Sequence, residues 1–213
     1  MARAVARLLD VLAPPGCAAC DAPCTGTFCE ACGAFVMDTN VHQLDTVPLV
    51  VAGEYAAPLS TAITRFKYEG RPELSRSLAP LLLDRLQQLR LPADAVLVPV
   101  PLHPRRLATR GYNQAALLAQ ELAGRCRWAC EPRLLRRARE TERQVGKSRT
   151  LRLTNARGAF EQRRPGPAQV VLVDDVVTTG STVRACAQAL AEGGATLIGV
   201  VALARALRDS QPR

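Results

Sequence analysis

The sequence predicts an α/β fold, doubly wound around a mainly parallel sheet and preceded by a small four-cysteine zinc ribbon. Three observations lead there. Short β-branched apolar runs alternate with amphipathic segments, as in "DAVLVPVPL", "NQAALLAQELAG" and "QVVLVDD". Two C-x2-C pairs stand eight residues apart near the start. Two adjacent aspartates close an apolar run in "VVLVDDVVTTGSTV" and are followed by small hydroxyl residues and a glycine.

The opening "MARAVARLLDVLAPPG" places Val5, Leu8, Leu9 and Leu12 on one helical stripe. It has neither a long apolar core nor a small-residue cleavage site, so the chain is expected in the cytoplasm. No run approaches the ~20 apolar residues that cross a bilayer, so no membrane insertion is expected. Next, Cys17 and Cys20 form one knuckle and Cys29 and Cys32 another. Four thiolates on two tight turns make a closed tetrahedral site suited to structural Zn2+ and leave no open position for catalysis. Disulfides or unrelated core cysteines are the alternatives, and the first fits a cytosolic chain poorly. Cys24, between the knuckles, is a substitute fifth ligand whose spacing suits the site least. Cys126, Cys130 and Cys186 lack partners at ligand spacing and read as small hydrophobes. Residues 1–45 are therefore expected to form an N-terminal helix and zinc ribbon, and 46–213 the α/β domain.

Within that domain "VPLVVAGEY" reads as a strand. Leu59, Ala62, Ile63 and Phe66 share one helical face, which Gly70 ends. Leu74 to Leu91 reads as a second amphipathic helix, with Pro80 marking a late start or a kink. Asp94 to Leu102 is a buried parallel strand, and "HPRRLATRGYNQ" a loop. Asn113 caps the following helix and Gly124 closes it. A strand near Pro132 to Arg136, the strand "QVVLVDD", a helix from "TGSTV" and the strand "ATLIGVVALAR" complete the set.

Net charge is +9, and the stretch Arg125 to Arg164 alone holds thirteen basic against four acidic residues, an excess that equals the whole chain's. Such a zone draws polyanions such as nucleic acid or diphosphates, and an arginine-rich solvated surface looks the same in sequence. Only two of the 28 basic residues are lysines, Lys67 and Lys147. That singles them out as places where an ammonium is wanted, although chance composition gives the same count.

Asp174 and Asp175 stand at the carboxyl end of a buried strand, and Thr178 to Thr182 form the turn into a helix. The first N–H groups of a helix have no internal partner, and its dipole is positive there. Gly180 allows the tight turn, and Thr178, Thr179, Ser181 and Thr182 add hydroxyl donors, which makes a phosphate cradle. The aspartates repel phosphate and suit a polyol or a metal ion beside it, so a sugar phosphate satisfies both halves. Two rival phosphate motifs fail: "GKS" has Thr141 where a P-loop needs its first glycine, and G-x-G-x-x-G is absent. The bland alternative is a merely capped helix, which needs fewer of these residues.

This stretch resembles the phosphoribosyl-pyrophosphate (PRPP) motif of type I phosphoribosyltransferases. Together with "FKYEG", "VPVPLHPRRLATRGYNQ" and "LLRRARETERQVGKSRTLRLTNARGAF" behind the cysteine ribbon, the chain resembles the ComF family of competence-associated proteins over nearly its whole length. The resemblance implies a type I phosphoribosyltransferase-like fold, a zinc-binding amino-terminal part, and a link to DNA uptake, natural transformation or related DNA processing. DNA and DNA-uptake or recombination proteins, such as a competence helicase, are the implied partners beside PRPP. It also implies displacement of pyrophosphate from ribose C1 by a nitrogen nucleophile, with Mg2+ accompanying PRPP. Asp174 and Asp175 would hold ribose hydroxyls, Asp175 being also a candidate base or ring stabiliser, and Thr178, Thr179, Gly180, Ser181 and Thr182 the 5′-phosphate. Arg106, Arg110 and Gly111 become candidates for the pyrophosphate, and Arg137 to Arg149 reads as a lid from which Gln144, Lys147 and Arg149 reach the diphosphate. Tyr68 or Tyr112 offers a stacking ring for an acceptor base, and packing is the equal alternative. Three readings stay open: an active transferase, a PRPP-fold component without turnover, and a nucleic-acid-binding module.

Overall fold

The computed structural model describes residues 16–33, 37–138 and 158–206. The expected helix over the first fifteen residues and most of the expected lid, with Gln144, Lys147 and Arg149, lie outside the described residues. The main sheet has six strands: β1 (Val41–Leu44), β2 (Val47–Glu54), β3 (Val96–Pro99), β4 (Ala129–Cys130), β7 (Gln169–Val177) and β8 (Thr196–Arg205). Its order is β1-β2-β8-β7-β3-β4, with β1 antiparallel at one edge and the rest parallel. A separate antiparallel pair joins β5 (Leu135–Arg137) to β6 (Phe160–Gln162), so the expected strand near Pro132 to Arg136 begins slightly later.

Strand side chains alternate between faces, and the core divides accordingly. Val50, Ala52, Leu97, Val171, Val173, Val201 and Leu203 are buried on one face. Helices α1 (Leu59–Tyr68), α2 (Leu74–Leu78), α3 (Pro80–Gln88) and α5 (Gln114–Ala123) cover that face. Leu49, Val51, Val96, Val98, Val170, Leu172, Val200 and Ala202 line the other, under α6 (Ser181–Glu192) and the β5–β6 pair. Two faces buried by helices on a parallel sheet make this the doubly wound α/β arrangement that the alternating runs predict.

Pro80 splits the expected long helix in two and starts α3, where its missing N–H costs nothing. The expected loop after β3 contains a short helix, α4 (Pro104–Arg110), none of whose residues is buried. Its markers were present: proline at the first position, His103 Nδ1 accepting from the Arg105 N–H, and Gly111 in the left-handed conformation at its exit. With no apolar face to bury, it leaves no periodic trace in the sequence. Asn113 caps α5 as expected, accepting from the Ala115 N–H. The boundary expected between residues 45 and 46 falls in the β1–β2 turn, and β1 pairs along its whole length with β2. Among the described residues, no helix is long and apolar enough to cross a membrane.

Candidate functional site

Strands β3 and β7 are neighbours, yet the chain leaving β3 reaches β4 on one side and the chain leaving β7 reaches β8 on the other. Opposed connections open a crevice at the carboxyl ends of that pair, where open α/β sheets bind ligands. The loops after both strands leave from that edge, where the Val100 N–H donates to the Val173 carbonyl at 2.9 Å.

The strand expected to close on Asp174 and Asp175 runs two residues further: both aspartates lie within β7, which ends at Val177 and is followed by the turn Thr178–Gly180. Among the described residues, no backbone carbonyl accepts from the N–H groups of Thr178 to Thr182. Gly180 is left-handed, with φ 72°, and a Cβ there would stand 2.4 Å from Leu44 Cδ1. Glycine is thus required twice, by conformation and by the β1–β2 hairpin lying against it. Arg184 holds the turn from below: Nη1 donates to the Thr179 carbonyl at 2.7 Å, and Nε to Asp45 of the hairpin at 2.7 Å. The result is a row of outward N–H groups at a helix start, with Thr178 and Thr179 exposed and Ser181 and Thr182 half-buried beside them.

The aspartates continue the alternation of their strand. Asp174 follows the Val170–Leu172 side, and Asp175 the Val171–Val173 side toward α1. Asp174 accepts the Asp175 N–H at 2.8 Å. Burial and the Asp175 charge push its pKa up to about 7, against the opposing pull of that N–H. Asp175 Oδ1 instead meets the Lys67 ammonium at 2.8 Å. Lys67 was marked in the sequence only by the rarity of lysine; no local signal tells which carboxylate it meets.

Lys67 sits in the last turn of α1, which the "RGYNQ" segment pins. The Tyr112 hydroxyl donates to the Phe66 carbonyl at 2.6 Å, and Gln114 Nε2 reaches the same oxygen at 3.5 Å. Tyr112 is therefore committed to packing. Tyr68 is 64% exposed, with the Arg110 guanidinium 4.7 Å from its ring centre. Arg110 also donates to Gln114 Oε1 at 3.1 Å. Tyr68, Arg105, Arg106, Thr109 and Arg110 line an open cavity of about 310 Å³. Gly111 lies at the edge of this group, but its N–H is spent on the Leu107 carbonyl at 2.8 Å, so its place is the helix exit and not an anion contact.

The four expected cysteine ligands converge beside α1. The sulfurs of Cys17, Cys20, Cys29 and Cys32 lie within 4.8 Å of one another, and the Cys17–Cys32 and Cys20–Cys29 pairs are 3.5 Å apart. A tetrahedron with Zn–S of about 2.3 Å puts its sulfurs roughly 3.8 Å apart, so the cluster fits such a metal. Burial raises the Cys17 pKa, but N–H groups of Cys29, Ala19 and Cys20 outweigh it and bring the thiol down to about 6. Cys32 is pushed up by the crowding thiols of Cys20 and Cys17, a conflict that a cation removes. Cys24 stays apart and donates to the Gly26 carbonyl at 3.1 Å, which leaves it out of the ligand set. The knuckle is not a loose appendage: Ala18 belongs to the core under α1 to α3, and Arg65 of α1 bonds to the Ala18 carbonyl at 3.1 Å and to Asp21.

The phosphoribosyl transferase domain family matches residues 107–213. Competence protein F of Haemophilus influenzae is 40% identical over 171 residues, covering 74% of this chain and 72% of that protein. The chain belongs to the ComF family. DNA utilization protein YhgH of Escherichia coli (strain K12) shares 38% identity with this ComF chain over 197 residues, 85% of each. Competence protein ComFC of Bacillus subtilis is 31% identical over 142 residues, 66% of this chain and 56% of that relative. The fold expected from the alternating runs and the family expected from the motifs are both established.

Proposed function

We propose that this ComF protein binds PRPP and transfers its phosphoribosyl group to a nitrogen acceptor, in the service of DNA uptake or related DNA processing. One observation carries the proposal. Among the described residues, the row of N–H groups that no backbone carbonyl accepts is separated from two carboxyls only by Val176 and Val177, at the carboxyl end of β7. The turn Thr178–Thr182 binds the 5′-phosphate by its N–H groups and hydroxyls. Asp174 and Asp175 accept from the ribose hydroxyls, which would ease the burial and the Asp175 charge that push Asp174 up to about 7. Arg106 and Arg110, which line the open cavity with Tyr68, take the diphosphate.

In the transfer, the bond from C1 to the diphosphate oxygen breaks and its electron pair leaves with pyrophosphate. The acceptor nitrogen supplies the pair for the new C1–N bond and gives its proton to Asp175 or to water. The guanidiniums offset charge on the departing group, and Asp175 offsets the positive ring. Mg2+ arriving with PRPP would add to that neutralisation. Zn2+ in the Cys17, Cys20, Cys29 and Cys32 cluster has a structural role, holding the knuckle against α1. DNA enters through the relatives, one named for competence and another for DNA utilization.

Titration calorimetry with Mg–PRPP tests the site. Micromolar binding is expected for the parent, and Asp174→Ala with Asp175→Ala should abolish it while the circular dichroism stays native. Unchanged affinity in the double variant would refute the assignment. A pyrophosphate-release screen against bases and nucleotides then separates transfer from silent binding. A second reading, direct nucleic-acid binding, is favoured by the exposed α4 with Arg105, Arg106 and Arg110. It predicts DNA affinity falling steeply with salt and with neutralisation of those arginines.

A further inference from the structure

The Lys67 ammonium stands 2.8 Å from Asp175 Oδ1, and both side chains are largely covered, 16% and 13% exposed. Under the proposed function Asp175 has a second claimant, because ribose hydroxyls need the same oxygens. Lys67 therefore either blocks the sugar or gives way to it.

The backbone around Lys67 cannot supply the movement. On one side Arg65 is tied to the Ala18 carbonyl, Asp21 and Glu69. On the same side, the adjoining Phe66 is held through its carbonyl by Tyr112 and Gln114. Only the four-carbon stem is left to swing. Its other destination lies next door: Tyr68, the following residue, lines the arginine cavity with Arg105, Arg106 and Arg110. The residue type fits a moving part. An ammonium is a point charge on a flexible stem, whereas a guanidinium grips a carboxylate with two parallel bonds and leaves it reluctantly. In a chain with only two lysines among 28 basic residues, this position holds one of them.

We propose that Lys67 is a displaceable counter-ion, neutralising Asp175 in the empty site and passing to the substrate's diphosphate when the ribose hydroxyls take the carboxylate. The proposal rests on the PRPP reading of the same crevice and adds a specificity determinant to it. A sugar phosphate with a diphosphate offers the released ammonium a partner. Ribose 5-phosphate does not, and must displace Lys67 without compensation. Lys67 thereby selects PRPP over its own hydrolysis product.

The test is calorimetry on the full-length parent and on Lys67→Met, with Mg–PRPP and with ribose 5-phosphate. In the variant, Mg–PRPP affinity should fall about tenfold or more, as for one lost charge-assisted contact. Ribose 5-phosphate affinity should hold or rise, because its competitor for Asp175 is gone. Equal losses for both ligands, or no loss for either, overturn the counter-ion role. A parent that binds neither ligand overturns the PRPP reading itself, and this inference with it. Should Lys67→Met fail to fold, the 15N-labelled parent answers instead. Its Lys67 Nζ signal, one of two from lysine and assigned against Lys147→Arg, should shift with saturating Mg–PRPP and stay in place with inorganic phosphate. A signal unmoved by Mg–PRPP overturns the proposal.

Discussion

Asp21 at the cysteine knuckle and Asp174 near the end of β7 are the same side chain in opposite circumstances. Asp21 accepts from Arg71 at 2.8 and 3.1 Å and from Arg65, and those two guanidiniums hold its pKa down to about 2. Asp174 has its neighbour's N–H, while burial and the Asp175 charge push it up to about 7. Asp21 is spent on the fold of its knuckle, whereas Asp174 is buried beside a like charge. Saturation marks the region that holds, and the strained carboxyl stands in the crevice proposed to bind.

Removing the metal should break the contrast most visibly. A chelator is expected to unfold residues 16–33 and lower Tm on the order of 10 °C, because the knuckle contributes Ala18 to the core and two partners to Arg65. It should also weaken Mg–PRPP binding, since α1 carries Lys67 two residues beyond Arg65. Thermal scans and calorimetry with and without chelator measure both, and an unchanged Tm would show that the knuckle holds nothing. Next in size is Gly180→Ala, which forces a Cβ against Leu44 in a left-handed turn. A loss of about 1–3 kcal/mol in urea unfolding is expected, together with the phosphate affinity.

Asp21→Ala should cost about 1 kcal/mol, the worth of a half-exposed carboxylate on a buried guanidinium that keeps other partners. The smallest effect sharpens the comparison through pH. A carboxyl whose folded pKa is raised contributes stability that is complete below its unfolded value near 4 and is lost as pH climbs through about 7. Asp174→Asn should flatten that decline and stabilise the ligand-free protein above pH 7 by about 1 kcal/mol. Asp21 has the opposite sign, its contribution being lost only as pH falls through about 2. Unfolding curves from pH 4 to 8 that run parallel for Asp174→Asn and the parent would remove the premise of strain at Asp174.

Much of this was legible beforehand. β7 and β8 are long apolar runs, and their burial on both faces follows from composition alone. The cysteine cluster and the glycine turn were readable because each is set by spacing over a few residues. Helix α4 was hidden because it buries nothing, and β1 because four residues of alternating exposure carry too little pattern. For Tyr112 the sequence left stacking and packing open, and it marked Gly111 as a candidate for the pyrophosphate. Both stand in a motif that reads as a binding loop, and both are spent on helix exit and packing.

The sequence by itself determined the local chemistry: four thiols on two knuckles, two acids at a strand end, a turn that only glycine allows. Tertiary structure alone decided that Lys67 meets Asp175, that Leu44 closes on Gly180 and that Arg65 ties the knuckle to the helix bearing Lys67. Those contacts join residues far apart in the chain, and they follow from the strand order β1-β2-β8-β7-β3-β4, which no local run of residues specifies.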